Sequence, residues 1–169
     1  MSLCNVTRPM CECLLTMVGL WVAVLDTDTR KKRTTTMTQI NRQDYLAVMR
    51  DMIDSTTTLS VHAMMAFRVY EPNLPHTAAL AIAKSGASVS EVMVGNPSIA
   101  NATMPTTNEE HLILLACLLD AVKHCELVFG AIRGTLTSEE EKQGNAVDLV
   151  NVQVGISLIQ TLAEIEVPN

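Results

Sequence analysis

Aromatic side chains are scarce: Trp21, Tyr45, Phe67, Tyr70 and Phe129 are the only five in 169 residues. Sheet packing leans on aromatic and β-branched residues, so the shortage points to interlocking helices built from Leu, Ile, Val, Ala and the ten methionines. Glycine is thin as well, with seven residues dispersed along the chain. Phosphate-cradling loops need glycines clustered before a helix to expose backbone donors, and neither a Walker-type nor a dinucleotide fingerprint is present. Glu-x-x-His is missing, which excludes the paired motif of di-iron bundles, and so is the His-Glu-x-x-His of helical metalloproteases. No cofactor is implied.

The five cysteines, Cys4, Cys11, Cys13, Cys117 and Cys125, are odd in number and widely scattered, a pattern that fits reduced thiols in a cytoplasmic setting. Cys11 and Cys13 have no matching C-terminal pair, so zinc spacing is lacking. Cys125 follows His124, but neighbouring helix residues point about 100° apart. Cys125 also lies on an apolar stripe, so a core thiol is expected rather than a nucleophile.

The net charge is −6, unevenly placed: residues 1–36 carry five bases and three acids, leaving −8 on the remainder. An acidic body repels phosphate backbones, which disfavours nucleic acid as a partner. The basic part ends in Arg30-Lys31-Lys32-Arg33 and follows an apolar run from Met10 to Leu25. That run falls short of the roughly 20 residues a membrane span needs, and Glu12 interrupts it. Four readings stand for it: core element, secretion signal, signal-anchor, or a segment appended to the folded domain, since Met37 opens a polar start into a capped helix. The expected division is therefore residues 1–36 as an apolar and basic segment that need not belong to the folded core, and residues 37–169 as one helical domain. Any membrane contact is confined to residues 10–25, with membrane anchoring as the alternative to a cytoplasmic location.

Asn41 precedes Tyr45, Val48, Met49 and Met52 at helical spacing, which predicts a helix over 42–54. The β-branched stretch beyond it, with Leu59, Met64, Phe67 and Tyr70, is read as helix up to Pro72. Residues 76–94 form a small-residue helix with an expected interruption near Gly86, and residues 95–107 an uncharged loop marked by Pro97 and Pro105. Thr107 and Glu110 make a capping-box pattern, followed by Leu115, Leu118, Val122, Cys125, Phe129 and Ile132 at steps of three and four. Gly134 is placed to end this helix, with Arg133 complementing its C-terminus. Thr137 with Glu140, or Ser138 with Glu141, caps the next one. Its residues 149–158 alternate as a strand would, but the caps and the Ile159–Glu166 stretch favour helix.

The fold expected is therefore all-α, a small helical bundle built on a C-terminal antiparallel helical hairpin. The hairpin's broad apolar faces exceed what one neighbour covers, which leads to non-enzymatic protein–protein binding or self-association, with a homo-oligomer as the partner state. Val122, Phe129, Ile156 and Ile159 are the residues expected to carry association. The alternative is a small-molecule site near the 95–107 loop using Asn101, Thr103, Thr106, His111 and Lys123; a membrane-tethered regulator through residues 10–25 is the third class.

Overall fold

The computed structural model describes residues 40–101 and 103–168. Five α-helices and no strand occur among them: α1 Arg42–Tyr70, α2 His76–Gly95, α3 Pro97–Ala100, α4 Asn108–Ile132 and α5 Glu139–Leu162. The all-α bundle with its C-terminal hairpin is thus the fold of the described chain.

Helix α1 starts where Asn41 Oδ1 accepts from the Asp44 backbone N–H at 2.9 Å. It does not break at the Ser-Thr-Thr-Thr stretch. The hydroxyls of Thr57, Thr58 and Ser60 each donate to the carbonyl four residues back at 2.8 Å, so these polar groups are satisfied within the helix itself. Pro72 then lies in a 3-10 turn, Glu71–Asn73, that closes the element.

Helix α2 runs through Gly86 without interruption, which corrects the break expected there. A Cβ at Gly86 would lie 3.2 Å from His124 Cε1 and 3.3 Å from its Nε2, so glycine permits α2 to approach α4 closely at the imidazole. The 95–107 segment is not wholly loop either. Asn96 Oδ1 accepts from Ser98 N at 2.9 Å and starts the single turn of α3, while its amide donates to Cys117 Sγ at 3.4 Å and ties that turn to α4.

Helix α4 is the centre, packed against α1, α2 and α5. Its capping box is formed by Thr107 and Glu110 as the spacing predicts. It buries two seams that share Leu118, Cys125 and Ile132: one adds His111, Leu114, Ala121 and Val128, the other Leu115, Val122 and Phe129. One seam serves one neighbour, so two seams suit a central helix. Gly134 does not cap α4 in a left-handed conformation; the helix tightens into a 3-10 turn, Arg133–Thr135, where Thr135 Oγ1 donates to the Ile132 carbonyl at 2.7 Å.

Ser138 and Glu141, rather than Thr137 and Glu140, form the box that opens α5. Residues 149–158 are helical within it. The buried residues of α5 are Asn145, Asp148, Asn151, Val152, Gly155, Ile159 and Leu162, so the first half of its buried face is polar. Beyond α5 the chain turns back to the N-terminal ends of α4 and α1: Val167 N donates to Asn108 Oδ1 at 2.7 Å, and Arg42 Nη1 donates to the Pro168 carbonyl at 2.8 Å.

Among the described residues no helix is long and apolar enough to cross a membrane. The expected membrane contact is withdrawn on that finding. Residues 10–25, which alone carried it, lie outside the described residues, as does the division drawn at residue 36.

Candidate functional site

The expected association residues are placed inside the subunit. Val122, Phe129 and Ile159 are 1%, 0% and 2% exposed, and Ile156 is half-buried. The cause is simple: α1 and α2 as well as α5 pack on α4, which covers Val122 and Phe129 within one chain, while Leu112, Ile113 and Leu127 of the same helix stay exposed.

The expected ligand residues are not brought together. Asn101 and Thr103 are exposed, and Thr106 donates from its backbone N–H and its hydroxyl to Glu110 Oε2 at 2.8 and 2.9 Å. His111 is buried between the Tyr45 hydroxyl, 3.0 Å from Nδ1, and the Leu162 carbonyl, 2.9 Å from Nε2. Lys123 is exposed twelve residues further on, about 18 Å along the helix axis. A structural lock absorbs His111, and a different place on the surface receives Lys123.

That place is a groove of about 310 Å³ between α2 and α4. Helix α2 contributes Ser85, Ser88, Val89 and Val92, and α4 contributes Asp120, Lys123 and His124, each set on one helical face. His124 Nδ1 lies 3.2 Å from Ser85 Oγ. Burial of the half-covered imidazole pushes its pKa below the ordinary histidine value, so the ring is neutral at pH 7.

A second polar cluster is buried where α1, α4 and α5 meet. His62 Nδ1 lies 3.2 Å from Asp148 Oδ1, out of line for a hydrogen bond and with no other hydrogen-bond partner. The His62 ring stacks at a tilt on Phe129, with centroids 5.6 Å apart. Cys125 Sγ is 3.8 Å from Ser60 Oγ, and burial pushes its thiol up to about 11. A thiol held protonated is a poor nucleophile, so histidine, aspartate and cysteine here form a packed seam rather than an activated triad. No group of three or more His, Cys, Asp or Glu side chains among the described residues is placed to share a metal ion.

The third feature is apolar and faces outward. Val61, Met64, Met65 and Val69 stand 46%, 45%, 42% and 55% exposed on the C-terminal half of α1, opposite its buried line of Leu59, His62, Ala63 and Ala66. Val61, Met65 and Val69 are spaced by four, so they form one ridge, and Met64 flanks it. The stretch Ser55–Phe67 contains no Asp, Glu, Lys or Arg, and Arg68 sits at its end. Periodicity places Met64 on a continuing apolar face, but it does not say which of two apolar faces the neighbours will cover.

Compared with models of known protein families, with curated proteins and with solved structures, the chain gives no match in any of the three.

Proposed function

We propose that this chain acts without catalysis, by binding a polypeptide partner, a second copy or another protein, through the α1 ridge. The observation that carries this is the exposure of Val61, Met64, Met65 and Val69 on successive turns, with Arg68 beside Val69 as the one charge from Ser55 to Val69. Contiguous apolar patches on a protein surface mark interaction sites, and flexible methionines suit a helix-in-groove or helix-on-helix contact because they repack against varied shapes. Arg68 at the end of the ridge favours a partner that places an acidic side chain there, which fixes direction more than affinity.

The homotypic contact needs no second component and gives the direct test. Sedimentation velocity of the full chain is compared with a Val61→Asp/Met65→Asp/Val69→Asp variant, whose changes are all at exposed positions. Concentration-dependent association in the parent, lost in the variant while helical circular dichroism is unchanged, is the expected result. Two chains that sediment as identical monomers over the whole range, with no difference in capture by any added partner, would remove the ridge from consideration.

A further inference from the structure

The α2–α4 groove is separate from the α1 ridge and has its own chemistry. Val89 and Val92 supply its apolar part. Asp120 and Lys123 bring one negative and one positive charge from α4, one helical turn apart. Neither forms an ion pair with any described residue, and they do not pair with each other. The contrast is with Glu139 and Lys142, which have the same three-residue spacing and meet at 2.7 Å. The charges in the groove are therefore both available.

Two further features shape the space. The neutral His124 adds no third charge, and its hydrogen bond to Ser85 holds the ring against α2 over Gly86. Ser88 adds an exposed hydroxyl on the α2 side. The volume, about 310 Å³, sits at the small end of ligand pockets, which suits a compact molecule better than a helix or a nucleotide.

We infer that this groove binds a small zwitterion with an apolar body, an α-amino acid of the leucine or valine type. Its ammonium group pairs with Asp120, its carboxylate with Lys123, and its side chain covers Val89 and Val92. Asp120 and Lys123 are exposed, so a molecule with one charge makes one charge-assisted contact where a zwitterion makes two, and a purely polar zwitterion makes no contact with the valines. The complementarity is one of three simultaneous contacts, and the class of ligand follows from needing all three.

The test is a titration of the isotopically labelled full chain with L-leucine, following the His124 ring signals. Saturable shifts are expected. 4-Methylpentanoate lacks the ammonium group and 3-methylbutylamine lacks the carboxylate; each is expected to bind at least about tenfold more weakly, the loss of one charge-assisted contact. Lys123→Met and Asp120→Asn are expected to weaken L-leucine to a similar degree. Ser88→Trp, at an exposed position, fills the groove and is expected to abolish the shifts with circular dichroism unchanged. The inference is overturned by shifts that do not saturate, by equal binding to Ser88→Trp, or by either single-charge analogue matching L-leucine. None of these outcomes depends on the α1 ridge.

Discussion

The Tyr45 hydroxyl lies 3.0 Å from His111 Nδ1, and both side chains are buried where the first turn of α1 meets the first turn of α4. The other ring nitrogen faces the Leu162 carbonyl, which can only accept, so Nε2 carries the hydrogen. In the neutral ring Nδ1 is then the acceptor and the Tyr45 O–H donates to it. Three helix ends are joined by one imidazole.

Tyr45→Phe removes the donor and leaves Nδ1 buried without a partner, an expected loss of about 1–3 kcal/mol in urea denaturation. The same phenol gives a pH signature. Burial pushes its pKa up to about 12 from the ordinary 10. The folded state therefore holds a proton that the unfolded state releases, so this stability contribution is complete below pH 10 and is lost as pH rises towards 12. Stability curves of parent and Tyr45→Phe should converge across that window; parallel curves would show that the phenol is not protected.

Glu141 is expected to act in acid. Hydrogen bonds from the Ser138 backbone and hydroxyl, the Thr137 backbone and the Tyr70 hydroxyl hold its carboxyl down to about 2 from 4.5. A depressed carboxyl stabilises above its unfolded value, so the contribution is present above pH 4.5 and disappears as pH falls through about 2. Glu141→Gln should flatten the acid limb of the stability profile, measured by circular dichroism. A limb of unchanged slope would count against it.

The capping boxes also predict a simple cost. Thr107→Ala removes the acceptor for the Glu110 N–H, 3.2 Å away, and is expected to cost about 1 kcal/mol. Thr107→Ser should recover most of it in the same denaturation assay.

Glycines within helices separate into two kinds. Gly130 lies inside α4 with open space where a Cβ would stand, nothing beyond its own stretch of helix coming within 4 Å, so Gly130→Ala should stabilise by about 1 kcal/mol through backbone entropy alone. Gly86→Ala meets His124 at 3.2 Å and should gain less, with displaced His124 ring signals. An equal gain with an unmoved ring would contradict the close approach.

At the buried seam, Asp148→Ala removes a side chain packed 3.2 Å from His62 and leaves a gap there, and is expected to cost about 1 kcal/mol. Replacing both His62 and Asp148 with Leu should cost less than the two single losses combined, because the side chains are in contact and the second replacement fills space beside the first. Additive costs would mean that the two side chains are independent.

Much of this is legible in the letters. The Thr107–Glu110 box, the seam Leu115–Leu118–Val122–Cys125–Phe129–Ile132 and the all-α class follow from local spacing and composition, and the structure buries every residue of that seam. The buried line of α5 is not legible, because Asn145 and Asp148 are polar and apolar periodicity passes over them. Asn145 belongs inside only because its amide donates to the Phe129 carbonyl at 3.0 Å, sixteen residues away. Gln153 reaches Glu126 across the same hairpin at 2.7 Å, again a pairing between helices.

The sequence by itself determined where α1 and α4 begin and which stripe of α4 is apolar, since capping and periodicity act over three or four residues. Only the tertiary structure decided that α4 lies at the centre with Val122, Phe129 and Ile159 enclosed, and that Val61, Met64, Met65 and Val69 of α1 stay open. It also decided that Lys123 shares a groove with Ser85 of α2 while His111 is sealed in a lock. The physical reason is that burial and pairing are properties of the neighbour a helix meets, and a single helix carries more faces able to be buried than its neighbours can cover.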